Sequence, residues 1–192
     1  SGGCVGRRTG AKDAPDAGAG LEDAMDLKDK VVAITGAGSG IGRALALAAA
    51  AKGASIAGLD WNLASMEETA SMVKAAGGRC LAVKGDVGNA ADAEAFRDAT
   101  LKEFGAVDVL INNAGIIQPF VPFAKLTVEQ MERVFHVNWW GVVHMTRAFL
   151  PALRERPVAR LVNVSSMGGF CPVPGQGVYG ASKAAVKLFT ES

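Results

Sequence analysis

From Lys30 onward the chain alternates short β-branched runs with stretches of helical apolar spacing, and this alternation leaves few folds open to it. Val31-Val32-Ala33-Ile34-Thr35 reads as a buried strand, and Ile41 to Lys52 carries helical spacing that stops at Gly53. Further strands are expected at Ser55–Leu59, Cys80–Val83, Val107–Ile111 and Arg160–Val164. Helical patterns separate them at Leu63–Ala76, Ala90–Phe104 and Thr127–Arg154, and a last helix runs from Tyr179 to Ser192. Thr127, with Gln130 three residues on, reads as a capping box opening the long helix. Strands that alternate with helices pair in parallel and are covered on both faces, and right-handed crossovers then wind the sheet doubly. The expected fold class is α/β: a doubly wound parallel sheet in a single domain, residues 30–192.

Thr35-Gly36-Ala37-Gly38-Ser39-Gly40-Ile41-Gly42 lies between the first strand and the first helix. Glycine permits the turn and brings the backbone close to a pyrophosphate, while the helix N-terminus offers free amides and a positive dipole. A glycine cluster alone is weak evidence, but a strand before it and a helix after it point to a dinucleotide loop. Asp60 closes the second strand, 18 residues beyond Gly42. A carboxylate there accepts the ribose hydroxyls of NAD and repels the 2′-phosphate of NADP. Neither Ser39 nor Trp61 offers a compensating positive charge, and Arg43, on the first helical turn, is expected to face solvent. NAD is therefore favoured over NADP. A role for Asp60 as the cap of the helix that starts near Leu63 is the weaker reading, though compatible with the same position.

Tyr179 and Lys183 are four residues apart, so they share a helix face. A phenol titrates near ~10, and a neighbouring ammonium favours its ionised form. Ser166 lies thirteen positions upstream of the tyrosine. A tyrosine acid together with a dinucleotide loop reads as hydride-transfer chemistry.

The totals exclude several other classes. The 192 residues suffice for one domain with a substantial core, and 49% are hydrophobic. A formal charge of +1 offers no basic stripe for nucleic acid. No apolar run approaches the roughly 18 residues of a membrane span. Cys4, Cys80 and Cys171 are scattered, without CxxC spacing, and read as reduced thiols of a cytoplasmic protein. His136 and His144 are eight residues apart, wrong for a helical ligand pair, so they read as surface or core imidazoles and no metal site is expected. Ser1 to Asp29 has no periodic apolar face and reads as a flexible leader. Arg7-Arg8 lacks the apolar stretch of an export signal. At the other end, the final helix stops with no cap or following strand, and Ala184, Ala185, Leu188 and Phe189 want a partner. That end reads as an interruption of a longer protein.

Together these motifs resemble those of the short-chain dehydrogenase/reductase family. TGxxxGIG stands at Thr35–Gly42, NNAG at Asn112–Gly115 and YxxxK at Tyr179–Lys183. Asp86-Val87 follows the third strand, Asn138 lies in the long helix, and Ser165-Ser166 follow the fifth strand. The resemblance runs from about Asp26 to Ser192 and implies a Rossmann-like fold. It also implies hydride transfer between NAD and a secondary alcohol or ketone. It makes Tyr179 the general acid/base and gives Lys183 the nicotinamide ribose and the lowering of the phenol pKa. Ser166, rather than Ser165, would hydrogen-bond the reacting oxygen, and Asn138 would position a water linking Lys183 to solvent. For the cofactor it implies Gly36, Ser39, Gly40, Ile41 and Gly42 at the pyrophosphate, Asp60 at the ribose, and Asp86 with the Val87 backbone at the adenine. Asn113, Ala114 and Gly115 would line the adenosine side.

Structural roles stand beside these. Asn138 would patch a helix interruption, Ser165 would cap a turn, and Lys183 would be a solvated helix lysine. Members of the family continue past the YxxxK helix with two strands and a mobile lid, so here the last strands are missing. Ile117, Gln118, Met167, Phe170, Cys171, Pro172 and Gln176 read as a mainly apolar substrate pocket, with Gln118 or Gln176 as polar handles and Cys171 as a packing residue. Phe135, Val142, Val143, Phe149, Leu153, Leu188 and Phe189 read as surplus apolar surface, and the resemblance points to a homodimer or homotetramer. The competing readings are an NADPH-linked carbonyl or 3-oxoacyl reductase and a non-catalytic nucleotide-binding protein or inactive fragment.

Overall fold

The β-branched runs form parallel strands β1 (Val31–Thr35), β2 (Ser55–Asp60), β3 (Cys80–Lys84), β4 (Val109–Asn112) and β5 (Arg160–Asn163) in one sheet of order β3-β2-β1-β4-β5. Between and after them lie α1 (Gly40–Ala51), α2 (Leu63–Ala75), α3 (Ala90–Phe104), α4 (Val128–Phe135), α5 (Gly141–Arg154) and α6 (Gly177–Glu191). The computed structural model describes residues 25–192. Most of the expected leader, with Cys4 and Arg7-Arg8, therefore lies outside the described residues. Met25 and Leu27, which that leader was expected to include, pack partly buried against the core.

Alternation along the central strands splits the core between the two faces of the sheet. Val32, Ile34 and Ile56 meet Ala46 and Ala49 of α1 and Met66, Ala70 and Val73 of α2. Ala33, Ala57, Leu59 and Leu110 meet Ala93 and Phe96 of α3 and Met145, Ala148, Phe149 and Leu153 of α5. The Phe96 and Phe149 rings meet tilted at 5.2 Å, a contact worth about 0.5–1.5 kcal/mol beyond the buried area. Asp108, 2% exposed, accepts from the Val31 amide at 2.9 Å and from Arg156 at 2.8 Å, tying the start of β1 to the end of α5.

Three expectations shift. Pairing in β4 begins at Val109 rather than Val107, after the left-handed Gly105 cap of α3. The last helix begins at Gly177, two residues before Tyr179. The long helix has the capping box at Thr127 and Gln130, but a π turn at His136–Trp140 separates α4 from α5. The surplus apolar surface is also smaller than expected, because Val142, Phe149 and Leu153 are buried in the domain's own core. Among the described residues no helix is long and apolar enough to cross a membrane.

Candidate active site

The strand order reverses between β1 and β4, and the crevice of a doubly wound sheet opens at the carboxyl ends of such neighbours. A cleft of about 870 Å³ lies there, reaching from Gly36, Ser39, Gly40 and Ile41 across to Asn113, Ala114 and Gly115. Its far wall holds Asp60, Asp86 and Val87. Gly36 and Gly40 turn the loop at φ 65° and 52°, a region that disfavours side chains. Gly42 serves differently: a Cβ there would fall on the Gly36 carbonyl oxygen and come within 2.7 Å of Asn113 Nδ2. Asn113 holds the loop from the other side, donating from Nδ2 to the Thr35 carbonyl at 2.9 Å. Ser39, at the cap of α1, makes no side-chain cap bond, and the first turn holds no acid, so the helix presents its amides and dipole to the cleft.

Asp60 is 6% exposed and pinned, Oδ2 accepting from the Gly38 amide and Oδ1 from the Asn62 amide, each at 2.9 Å. It does not cap α2; Asn62 does, accepting from Ser65. Arg43 does not face solvent as expected. It donates to the Gly38 carbonyl and to Thr69, and pairs with Glu68 at 2.6 Å, bracing the loop against α2. Asp86 accepts from the Gly88 amide at 2.9 Å and meets His136 Nε2 at 3.1 Å.

A second cluster adjoins this cleft at Gly115, whose built Cβ would lie 3.2 Å from Lys183 Nζ and 3.4 Å from Asn138 Oδ1. Asn138, fully buried in the π turn, accepts from the Ile116 amide at 2.8 Å and donates to the Ile116 carbonyl at 2.9 Å and to Ser182 Oγ at 3.0 Å. The added residue per turn swings this amide inward, a use to which π turns are often put. Lys183 is 4% exposed, so it is no solvated helix lysine; its Nζ donates to the Val164 carbonyl at 2.8 Å and stands 5.9 Å from the Tyr179 ring centre. Burial pushes its pKa down. Ser165 Oγ donates to the Lys183 carbonyl at 3.0 Å, which commits it to α6. Ser166 Oγ accepts from the Gly168 amide at 3.2 Å, and the following turn abuts the Tyr179 ring, 3.6 Å from where a Gly168 Cβ would stand.

Some pocket residues behave otherwise than expected. Gln118 is no polar handle: it is 2% exposed, with both ends of its carboxamide bonded to the chain. Met167 and Phe170 are exposed, and so is Cys171, expected as a packing residue. Burial pushes the Cys80 thiol up to about 11, against a weaker downward pull from Lys74. Iodoacetamide at about pH 8 is therefore expected to alkylate Cys171 and spare Cys80, read by peptide mass spectrometry; equal labelling of both would contradict this.

The cleft also recruits residues that the sequence reading passed over or placed elsewhere. His136 lines it beside Asp86, and Arg133, Trp61 and Lys84 stand on its walls. Lys84 arrives there because the parallel register sets it opposite Asp60, a position that strand pairing could have signalled. Nothing local marks His136, whose direction is set by the π turn. Among the described residues no cluster of metal-binding side chains occurs.

The family and the fold have known counterparts. The family model for short chain dehydrogenases matches residues 30–192. SadH of Mycobacterium tuberculosis, named as an oxidoreductase, is 40% identical over 86% of this chain and 60% of its own length. A short-chain dehydrogenase/reductase from Burkholderia phymatum, solved in complex with NAD, superposes with a TM-score of 0.84 at 37% identity, covering 88% of this chain and 60% of that one. An NAD+-bound xylitol dehydrogenase gives 0.83 at 32% identity, over 87% and 64%. The chain thus spans about 60% of the length of these relatives. With its glycine loop and NNAG turn lining one cleft, its YxxxK helix adjoining that cleft at Gly115, and the family model matching residues 30–192, this chain belongs to the short-chain dehydrogenase family.

Proposed function

We propose that this chain carries the cofactor-binding and catalytic core of an NAD-dependent oxidoreductase acting on a secondary alcohol or ketone. The observation that carries the reading is the junction at Gly115, where the dinucleotide-shaped cleft meets Lys183 and Asn138. The cleft suits a dinucleotide: α1 offers free amides at one end, and a pinned carboxylate waits at the other. When bound, the nicotinamide supplies or accepts the hydride. Tyr179 Oη gives a proton to the carbonyl oxygen in reduction and takes it back in oxidation. Ser166 Oγ, whose proton is not committed to the protein, donates to that oxygen. Lys183, held against the Val164 carbonyl, keeps a cation near the phenol and orients the cofactor ribose. Asn138 fixes the loop at Ile116 and positions a water beside Lys183. Asp86, with the Val87 backbone, receives the adenine, and Asn113 and Ala114 line the adenosine side.

The choice of NAD rests on Asp60. Repulsion of a 2′-phosphate by its carboxylate is expected to favour NAD by about 1–3 kcal/mol, roughly 5–150-fold in Kd. Side-by-side titration of the full-length protein measures this, with Asp60→Ala narrowing the gap. One observation favours the NADPH-linked carbonyl or 3-oxoacyl reductase: Lys84 sits opposite Asp60 on the cleft wall, where an ammonium could meet the phosphate. NADP binding at least as tight as NAD, and weakened by Lys84→Ala, would establish that second reading instead.

A cytoplasmic location and a homodimer or homotetramer belong to the same proposal. The exposed Trp140, Leu150 and Leu188, rather than the buried Phe149 and Leu153, are the apolar residues available for such contacts.

A further inference from the structure

Gln118 lies just past the stretch at which β4 leaves the cofactor cleft, and its side chain reaches the start of α6. Nε2 donates to the Gly175 carbonyl at 2.6 Å, and Oε1 accepts from the Tyr179 backbone amide at 2.9 Å. Gly175 and Tyr179 are four residues apart, so an uninterrupted helix would bond these two groups directly to each other. Gly175 instead stands at φ 78°, and α6 starts two residues later at Gly177. The next bond of that spacing, from the Gly180 amide to the Gln176 carbonyl at 2.7 Å, is made by the backbone in the ordinary way. The Gln118 carboxamide is therefore inserted into the first turn, between donor and acceptor.

Gln176, at the cap position, makes no side-chain cap bond, so this amide serves as a cap delivered from a distant loop. A carboxamide donates at one end and accepts at the other within a single rigid plane. It thereby fixes the loop and the helix relative to one another, and it does so at the residue that bears the phenol. The loop in question is continuous with Gly115, where a Cβ would stand 3.2 Å from Lys183 Nζ.

We propose that Gln118 is a positioning residue for Tyr179, setting the start and phase of α6 and with them the direction of the phenol. The inference rests on Tyr179 as the acid/base. Its substitution displaces the phenol without removing it, and a misplacement of roughly 1 Å acts on the scale of 10²-fold.

The test uses the full-length protein with Gln118→Met, Gln118→Glu and Tyr179→Phe measured side by side. Gln118→Met keeps the size of the side chain but neither bond, and is expected to lower kcat about 10–100-fold with KM and the NAD Kd within about threefold of wild type. Gln118→Glu forms both bonds when protonated, whereas its anion cannot donate to the Gly175 carbonyl and is repelled by it. Its kcat relative to wild type at the same pH should therefore climb as pH falls, while that of Gln118→Met stays flat. A residue that only supported the fold would change the amount of NAD-binding protein and its melting temperature, leaving kcat per NAD site unmoved. Gln118→Met with kcat within about twofold of wild type would overturn the proposal. So would a Gln118→Glu ratio that does not respond to pH, and this arm decides alone if the methionine variant does not fold. Undiminished turnover in Tyr179→Phe refutes the acid/base reading beneath the proposal. An inactive Tyr179→Phe beside wild-type-like Gln118 variants refutes the positioning role alone.

Discussion

Tyr179→Phe in the full-length protein is expected to lower turnover by about 10²–10⁴-fold, the usual contribution of general acid–base catalysis, while leaving NAD binding nearly unchanged. The substitution removes one oxygen and keeps the ring that rests on the turn after β5. Tyr179's bond to Gln118 runs through the backbone amide, so the phenylalanine variant keeps it and the start of α6 is undisturbed. Lys183 retains its own bond to the Val164 carbonyl, so the cofactor side of the site should also survive. Steady-state kinetics with either cofactor, set beside NAD titration, separates the two effects. Residual kcat within a few-fold of wild type would remove Tyr179 from the acid/base role. A parallel loss of NAD affinity would point instead to damage in the fold.

Gly42→Ala should be nearly as harmful, through a different cause. A Cβ at this position collides with the Gly36 carbonyl and presses on Asn113 Nδ2, both parts of the wall that shapes the cleft. Backbone is a poor partner to displace, and overpacking of this kind costs about 1–3 kcal/mol or more. For a domain of this size that corresponds to a melting temperature lower by about 2–12 °C. The shifted loop should also weaken NAD binding about tenfold or more. Gly40→Ala is the informative comparison for stability. Gly40 carries a positive φ but has open space where a Cβ would stand, so alanine there costs only the strain of a left-handed backbone, about 1–2 kcal/mol. Calorimetry on both variants should show the larger loss for Gly42→Ala; equal or reversed losses would mean that crowding at Gly36 is relieved by small adjustments.

The order of elements, the parallel sheet and the glycine loop followed from the sequence by itself, because each rests on local periodicity or on residues adjacent in the chain. Val31–Ile34 is apolar throughout and the strand is therefore buried on both faces, and Thr127 with Gln130 specifies a helix start within one turn. The pair Tyr179 and Lys183 was legible for the same reason, since four residues of helix suffice to align them. Tertiary structure decided what such spacing cannot carry. The π turn that sends Asn138 inward is a change of helical phase with no local signature in His136–Trp140, and it also turns His136 toward Asp86. Lys84 reaches the wall beside Asp60 only through the pairing of β3 with β2. Arg43 turned from solvent to brace the loop because α2 packs beside α1 and brings Glu68 within reach. Gln118 became a helix cap because its partners, 57 and 61 residues further along the chain, meet it only when the loop after β4 folds against the start of α6. A hydrogen bond between groups so far apart in sequence is set by how the elements pack, and no window of neighbouring residues encodes it.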